Sequence, residues 1–412
     1  MDEVRVRPVE YAGAREWRIE PDERFSNSYR AMREGTYQPS VPARIADLTL
    51  DLPDHLKGLV DEAADAVREF SDYACAKLTG KVATRGPIDA AWLYVQSAAA
   101  YHIPYDIFGT VSPFLIVDKH RDYRYIRQDL VVAGRPELQD LWKPGATIDE
   151  RGLQTLHGAL MARESGWAAV SSYRRGQAWV GHDKFSPVHG VLYVAPEADL
   201  VAGYARDLCA FIDRDDLPPV AQAAVMAAQY EAVLPFAEGN GRTVNGLLQT
   251  MLLMKGVART YVPPVATGLI VDYDRYFSAL ASYRDGDAGP IIALFAEACT
   301  VTARQGLHLV DELERSADSL AGLLAKRRRN AGFRRVQEHL FLQPIMDSRY
   351  LDSVIKVDIR NRLHALKPYE DLKLLVRMDS DTNGKSLLWV YKPSIYILNR
   401  YLEGIEQAVK AK

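Results

Sequence analysis

Apolar residues recur at intervals of three and four along most of this chain, a spacing that places them on one face of a helix. Leu56, Leu59, Val60, Ala63, Ala64, Val67, Phe70 and Tyr73 predict an amphipathic helix over about 56–78, and a second is expected over about 88–101, ended by Pro104. Residues 105–150 mix proline, glycine and aromatic residues, with a short strand expected at Phe114–Val117. Helical spacing returns at Asp149–Met161 and again at about 196–213, 219–233, 241–256, 272–283 and 289–315. One interruption stands out, because Gln177–Val180 and Val191–Val194 are short β-branched and aromatic runs on either side of a polar, glycine-rich stretch, which predicts a hairpin.

The pattern changes after the basic run Lys326-Arg327-Arg328-Arg329. Helical stretches at about 331–341, 347–354 and 357–365 precede two alternating runs, Leu372–Met378 and Ser386–Tyr391, joined by a turn containing Asn383-Gly384. Helices followed by a two-stranded wing resemble a winged-helix domain. A last helix from Pro393 carries Ile395, Leu398, Leu402, Ile405 and Val409 on one face, a stripe suited to packing or to a homodimer. The first 45 or so residues have little periodicity and predict an extended arm. The expected organisation is therefore an arm (1–45), a helical region (46–150), a mostly α core with a β-hairpin (151–315) and a smaller α+β unit (326–412).

Composition adds bounds. A chain of 412 residues, 48% hydrophobic and 25% charged, can bury at least one large core. Its net charge of -3 supplies no global field for nucleic acid or an anionic membrane. Cys75, Cys209 and Cys299 are odd in number and far apart, so neither a disulfide framework nor a zinc site is indicated. The N-terminus has no apolar core of a secretion signal and no run approaches a spanning helix, so a cytoplasmic protein with no membrane partner is expected. High Ala and Arg content points to a GC-rich bacterial genome.

Candidate chemistry concentrates in Glu238-Gly239-Asn240-Gly241-Arg242, between two predicted helices. Taken alone, such a segment is most simply a glycine-rich turn with a capping Asn and a solvated Arg. It can also present backbone N–H groups at a helix N-terminus, where the unpaired donors and the helix dipole favour an anion. Arg242 adds donors matched to phosphate oxygens, and Glu238 is a hard ligand able to hold Mg²⁺ that bridges phosphates.

Extended by four residues, the run Leu234-Pro235-Phe236-Ala237-Glu238-Gly239-Asn240-Gly241-Arg242 resembles the H-P-F-x-[D/E]-G-N-[G/K]-R signature of Fic proteins. Tyr230-Glu231 is similar to the family's preceding F-E pair, and Ala178-Trp179-Val180-Gly181 to its flap. Tyr276-Phe277-Ser278-Ala279-Leu280 and Arg284-Asp285-Gly286-Asp287 are similar to its downstream helices. The resemblance spans about residues 40–310. It implies a helical Fic core, with Gly239, Asn240, Gly241 and Arg242 holding phosphate, Glu238 holding Mg²⁺, and a target segment lying along the flap at 177–194.

Three departures bear on activity. The family's leading histidine, the general base for transfer of AMP to a hydroxyl, is Leu234, and a hydrocarbon side chain exchanges no proton. The second signature arginine, three residues beyond Arg242, is Asn245. The family's inhibitory S-x-x-I-E-G helix is best matched by Ala99–Pro104, with Pro104 at the glutamate position. The resemblance thus implies a protein that binds a nucleotide or another phosphorylated ligand without ordinary AMPylation. It is either a pseudoenzyme or a repurposed enzyme, with an atypical AMP or phosphoryl transferase as the alternative. For a repurposed enzyme, Tyr101 and His102 are the catalytic candidates, then His182 and His189, with Glu231 read as bracing the loop. A DNA-binding regulator is a third reading. Acidic residues around the wing (Asp347, Asp352, Asp358, Glu370, Asp371 and Asp379–Asp381) argue against it, so DNA is not expected as a partner.

Overall fold

The computed structural model describes residues 4–19, 26–78, 141, 143–161, 171–181, 183, 185–325, 331–341, 344–353, 355–379 and 387–411. The expected helix at 88–101, the strand at 114–117, the basic run 326–329 and the Asn383-Gly384 turn lie outside them. The described residues are predominantly helical, as the spacing of apolar positions predicts. They fall into two compact units, one of Met1–Glu62, Asp140–Lys255 and Tyr273–Ala296, the other of Ala63–Gln139, Gly256–Asp272 and Glu297–Lys412. Neither is continuous in sequence, so the linear divisions expected above do not coincide with them.

The N-terminal segment is more structured than an extended arm. It forms β1 (Glu10–Tyr11), β2 (Arg15–Trp17), α1 (Asn27–Ala31), β3 (Gly35–Tyr37) and β4 (Ser40–Val41), with β1 antiparallel to β4 and β2 antiparallel to β3. α2 (Asp54–Leu78) follows, then α3 (Glu150–Met161). The hairpin is present as β5 (Trp179–Gly181) and β6 (Val191–Val194), with Trp179 opposite Val194 and an irregularity between Val180 and Gly181. The N-terminal segment folds against the loop joining these strands. The Trp17 indole N–H donates to the Phe185 carbonyl at 3.1 Å, the Ser186 hydroxyl to the Arg33 carbonyl at 2.6 Å, and Arg33 pairs with Asp183 at 2.6 Å. Single contacts to residues far along the chain replace the periodicity that marks a long element, which is why the sequence pattern reads as an arm.

α4 (Val201–Asp213), preceded by a 3₁₀ turn at Ala198–Leu200, leads into α5 (Pro219–Val233) and α6 (Asn240–Met254). α5 starts with proline at its first turn, where the missing N–H costs nothing. It is buried almost all round, the pattern of a central helix. It packs against α4, α6 and α8 (Tyr273–Asp285), while α3 packs against α6; α7 (Val265–Ile270) precedes α8. The helix expected at 272–283 is present as α8, and α7 is an additional short helix ahead of it.

α9 (Gly289–Leu324) runs past its expected end, and α10 (Ala331–His339), β7 (Ile345–Asp347), α11 (Ser348–Ser353), α12 (Ile359–Asp371), β8 (Leu375–Asp379), β9 (Leu387–Tyr391) and α13 (Lys392–Lys410) complete the chain. The wing has a third strand beyond the expected two, because Ile345–Asp347 pairs with β9 and gives the order β7–β9–β8. Three residues are too short a run to show alternation. The core of this unit contains Phe333, Val336, Leu351, Ala365, Leu366 and Tyr369. Phe333 and Tyr369 stack at 4.7 Å, and the Tyr369 hydroxyl donates to the Phe333 carbonyl at 3.0 Å. Among the described residues no helix is long and apolar enough to cross a membrane.

Candidate functional site at the α5–α6 loop

α5 ends at Leu234, whose backbone is left-handed (φ 46°, ψ 67°) while its N–H still donates to the Tyr230 carbonyl at 2.9 Å. That conformation disfavours leucine and is several-fold enriched in Asn, Asp and His. The side chain is buried against Tyr193, Ala195 and Ala232, with Ala178 and Val180 at the edge. The residue at the head of the loop is thus a hydrophobic plug under the hairpin.

Arg174 holds this corner together. Its backbone N–H donates to the Pro235 carbonyl at 3.0 Å, and its guanidinium donates to the carbonyls of Leu234 at 2.8 Å, Gly176 at 2.8 Å and Pro196 at 2.5 Å. It is buried, and burial pushes its pKa down to about 10. A cation at the end of α5 also answers the negative end of that helix. Sequence reading did not single out Arg174, because Arg174-Arg175 beside a glycine looks like a solvated pair.

Beyond Pro235 the loop closes on itself. The Asn240 side-chain oxygen accepts from the Phe236 N–H at 3.0 Å, its amide donates to the Phe236 carbonyl at 2.7 Å, and the buried Tyr230 hydroxyl donates to the same oxygen at 3.3 Å. Phe236 stacks on His157 of α3 with centroids 3.7 Å apart, and His157 Nδ1 lies 2.8 Å from the Thr243 hydroxyl. That hydroxyl donates to the Gly239 carbonyl at 2.9 Å. Gly239 has φ 72°, a left-handed conformation that favours glycine, and a Cβ there would lie 2.5 Å from the movable Met161 Sδ. His157 and Thr243 carried no sequence signal, since a lone histidine on an amphipathic helix has no visible partner.

This closure sets the start of α6. Its first intrahelical bond runs from the Thr243 N–H to the Gly239 carbonyl, leaving the N–H groups of Asn240 and Gly241 at the N-terminus without an intrahelical acceptor. The Asn240 side chain is committed to Phe236. Arg242 is only 4% exposed, which differs from the solvated arginine of the plainer reading. Asn245, one turn on, is 5% exposed, and its amide nitrogen has no hydrogen-bond partner. Glu238 is exposed at the rim. Among the described residues no group of three His, Cys, Asp or Glu side chains forms a metal cage. Glu238 together with phosphate oxygens fits Mg²⁺, which is commonly held by one or two carboxylates plus substrate phosphates.

Glu231, one turn before Leu234, is partly buried. Burial raises its pKa to about 7, against an opposing pull from Arg284, whose guanidinium lies 4.5 Å over the Tyr193 ring. His189 is exposed in the hairpin loop. Tyr101, His102, Pro104 and His182 lie outside the described residues.

Residues 147–252 match the model of the Fic/DOC family, so the stretch from just before α3 through most of α6 is a Fic/DOC domain. Among solved structures, a Fic family protein from Desulfovibrio desulfuricans G20 is similar at 17% identity and a TM-score of 0.44, over 83% of this chain and 97% of that one. Fic-1 from C. elegans, as a fragment, is similar at 16% identity and a TM-score of 0.42, over 61% of this chain and 72% of that one. No curated protein sequence matches the chain.

Proposed function

We propose that the α5–α6 loop binds the phosphate of a nucleotide or related phosphorylated ligand in a Fic-type domain that has lost the base for ordinary AMP transfer. The observation that carries this reading is Leu234 buried under the hairpin where the Fic signature has histidine. In this reading the backbone N–H groups of Gly241 and Arg242 and the Arg242 guanidinium receive phosphate oxygens, and Asn245 offers a neutral donor in place of a second cation. Mg²⁺, carried in by a polyphosphate and held by Glu238, would neutralise phosphate charge. The loss of one cation favours ligands with fewer charges than a triphosphate. The hairpin keeps two short strands at which a target segment could be held, so repurposed chemistry on a bound protein segment is the reading held second.

Calorimetric titration with ATP, ADP, AMP and CDP derivatives, with and without Mg²⁺, tests the proposal on the wild type and on Arg242→Ala. Binding that disappears in Arg242→Ala supports the phosphate site; no binding of any nucleotide sinks the nucleotide reading. Where binding is found, Leu234→His then asks whether AMP transfer returns. The left-handed backbone at this position tolerates histidine better than leucine, so the substitution carries no conformational penalty of its own.

A further inference from the structure

The unit that carries β7–β9–β8 has its own exposed chemistry. α11 and α12 are joined by a tight turn in which the Ile355 N–H donates to the Tyr350 carbonyl at 3.1 Å and the Val357 N–H to the Leu351 carbonyl at 2.8 Å. Lys356 takes a left-handed conformation (φ 57°) between them. α12 buries Arg362, Ala365, Leu366 and Tyr369, which leaves Ile359, Arg360, Asn361, Leu363, His364 and Lys367 exposed. Ile359 is 75% and Leu363 62% exposed, one turn apart on the same helix. Beside the end of this helix lies an open groove of about 440 Å³, lined by Glu370, Lys373, Leu375, Val376, Arg377 and Lys392.

Asp352, Asp358, Glu370 and Asp371, among the acidic residues that argued against a polyanionic partner, have partners within the unit. Asp358 caps α12, its carboxylate accepting from the Arg360 N–H at 2.9 Å and the Asn361 N–H at 3.0 Å. Asp352 pairs with the inward Arg362 at 2.6 Å, Glu370 accepts from the Trp389 indole N–H at 3.0 Å, and Asp371 pairs with Lys367 at 2.8 Å. Arg360, beside the capping Asp358, and Lys373, Arg377 and Lys392 are thus four exposed cations without an ion pair among the described residues.

We propose that the outward face of α12 and the adjoining Lys373–Arg377–Lys392 groove bind duplex DNA. A single helix fits the major groove, and in two-helix units of this order the N-terminal residues of the second helix meet base edges while flanking cations meet phosphates. Arg360 and Asn361, at that end of α12, are the side-chain types that pair with guanine and adenine edges, and Ile359 and Leu363 suit thymine methyl groups. Lys373, Arg377 and Lys392 supply backbone contacts. The major groove of a duplex admits one helix, and that fit commits the occupant to double-stranded rather than single-stranded DNA. This inference is independent of the phosphate-loop reading.

The test is fluorescence anisotropy of a labelled mixed-sequence duplex with the full chain across a salt series. The comparison protein is a variant carrying Arg360→Glu, Lys373→Glu and Arg377→Glu, all exposed positions. Saturable binding that weakens with salt is expected, reduced at least about tenfold in the variant and with a shallower salt dependence by about one unit for each phosphate no longer neutralised. Thermal unfolding checks that the variant folds; if it does not, Arg360→Gln and Lys373→Gln singly replace it, each expected to weaken binding. No duplex binding at low salt overturns the proposal. So does binding that the substitutions leave unchanged, which would place the DNA on another basic segment such as Lys326–Arg329.

Discussion

The imidazole of His157 lies flat on the ring of Phe236, 3.7 Å between centroids and 4° from parallel, and thereby ties α3 to the loop that opens α6. Its Nδ1 contact with the Thr243 hydroxyl fixes the ring's rotation. His157→Ala removes both interactions and is expected to cost about 2 kcal/mol, from a stacked pair and a buried hydrogen bond together. His157→Phe keeps the stack and should lose only about half as much. Urea unfolding of the two variants separates the contributions, and equal losses would mean that the stack contributes nothing.

Gly239→Ala places a methyl group 2.5 Å from Met161 Sδ at a positive φ. The side chain of Met161 can move, but the backbone strain remains, so about 1–2 kcal/mol of stability should be lost. Met161→Ala in the same chain should recover only the steric part. Thermal unfolding of the single and double variants reads this out, with full recovery refuting a backbone origin.

Arg174→Met keeps most of the side-chain volume and strips the donors from the Leu234, Gly176 and Pro196 carbonyls. About 3 kcal/mol should be lost through buried unsatisfied acceptors. Arg174→Lys, which retains the charge without the planar fork, should recover little of it. A lysine variant as stable as the wild type would show that charge alone holds this corner.

Glu231 makes stability depend on pH. Its carboxyl titrates near 4.5 when unfolded and at about 7 when folded, because burial favours the neutral form. The folded chain therefore holds the extra proton between those values. The resulting stabilisation is complete below about 4.5 and is lost as pH rises through 7. Unfolding free energy attributable to this group should fall by up to about 3 kcal/mol between pH 5 and 8. Glu231→Gln, neutral throughout, should remove that part of the pH profile; an unchanged profile would assign the dependence to other groups.

Much of the fold was legible because burial leaves a repeat in the sequence. α5 matched its expected bounds, since Pro219 sets its start and Leu234 its end, and α3, β6 and β9 fell within a residue or so of expectation. Misses occurred where structure rests on single contacts between distant residues. β7 is too short to alternate, and the β1–β4 and β2–β3 pairs owe their place to rings such as Trp17, set edge-on to Trp179 at 5.2 Å. The loop residues Glu238–Arg242 were visible as a motif, whereas Arg174 and His157, which shape that loop, lie dozens of residues away with no spacing rule to connect them.

By itself the sequence determined which segments are helical and where the glycine-rich loop between two helices sits, because helix periodicity and glycine chemistry are local. It also determined that no proton-transferring group occupies position 234. Only the tertiary structure decided that Leu234 is sealed beneath Tyr193, that Asn240 spends its side chain on Phe236, and that Arg242 and Asn245 are buried. It also decided that Asp358 is engaged as a cap and Asp352 and Asp371 in ion pairs, while Arg360, Lys373, Arg377 and Lys392 stand exposed. These depend on which groups approach across long chain separations, where desolvation and hydrogen-bond geometry act on neighbours that the order of residues does not reveal.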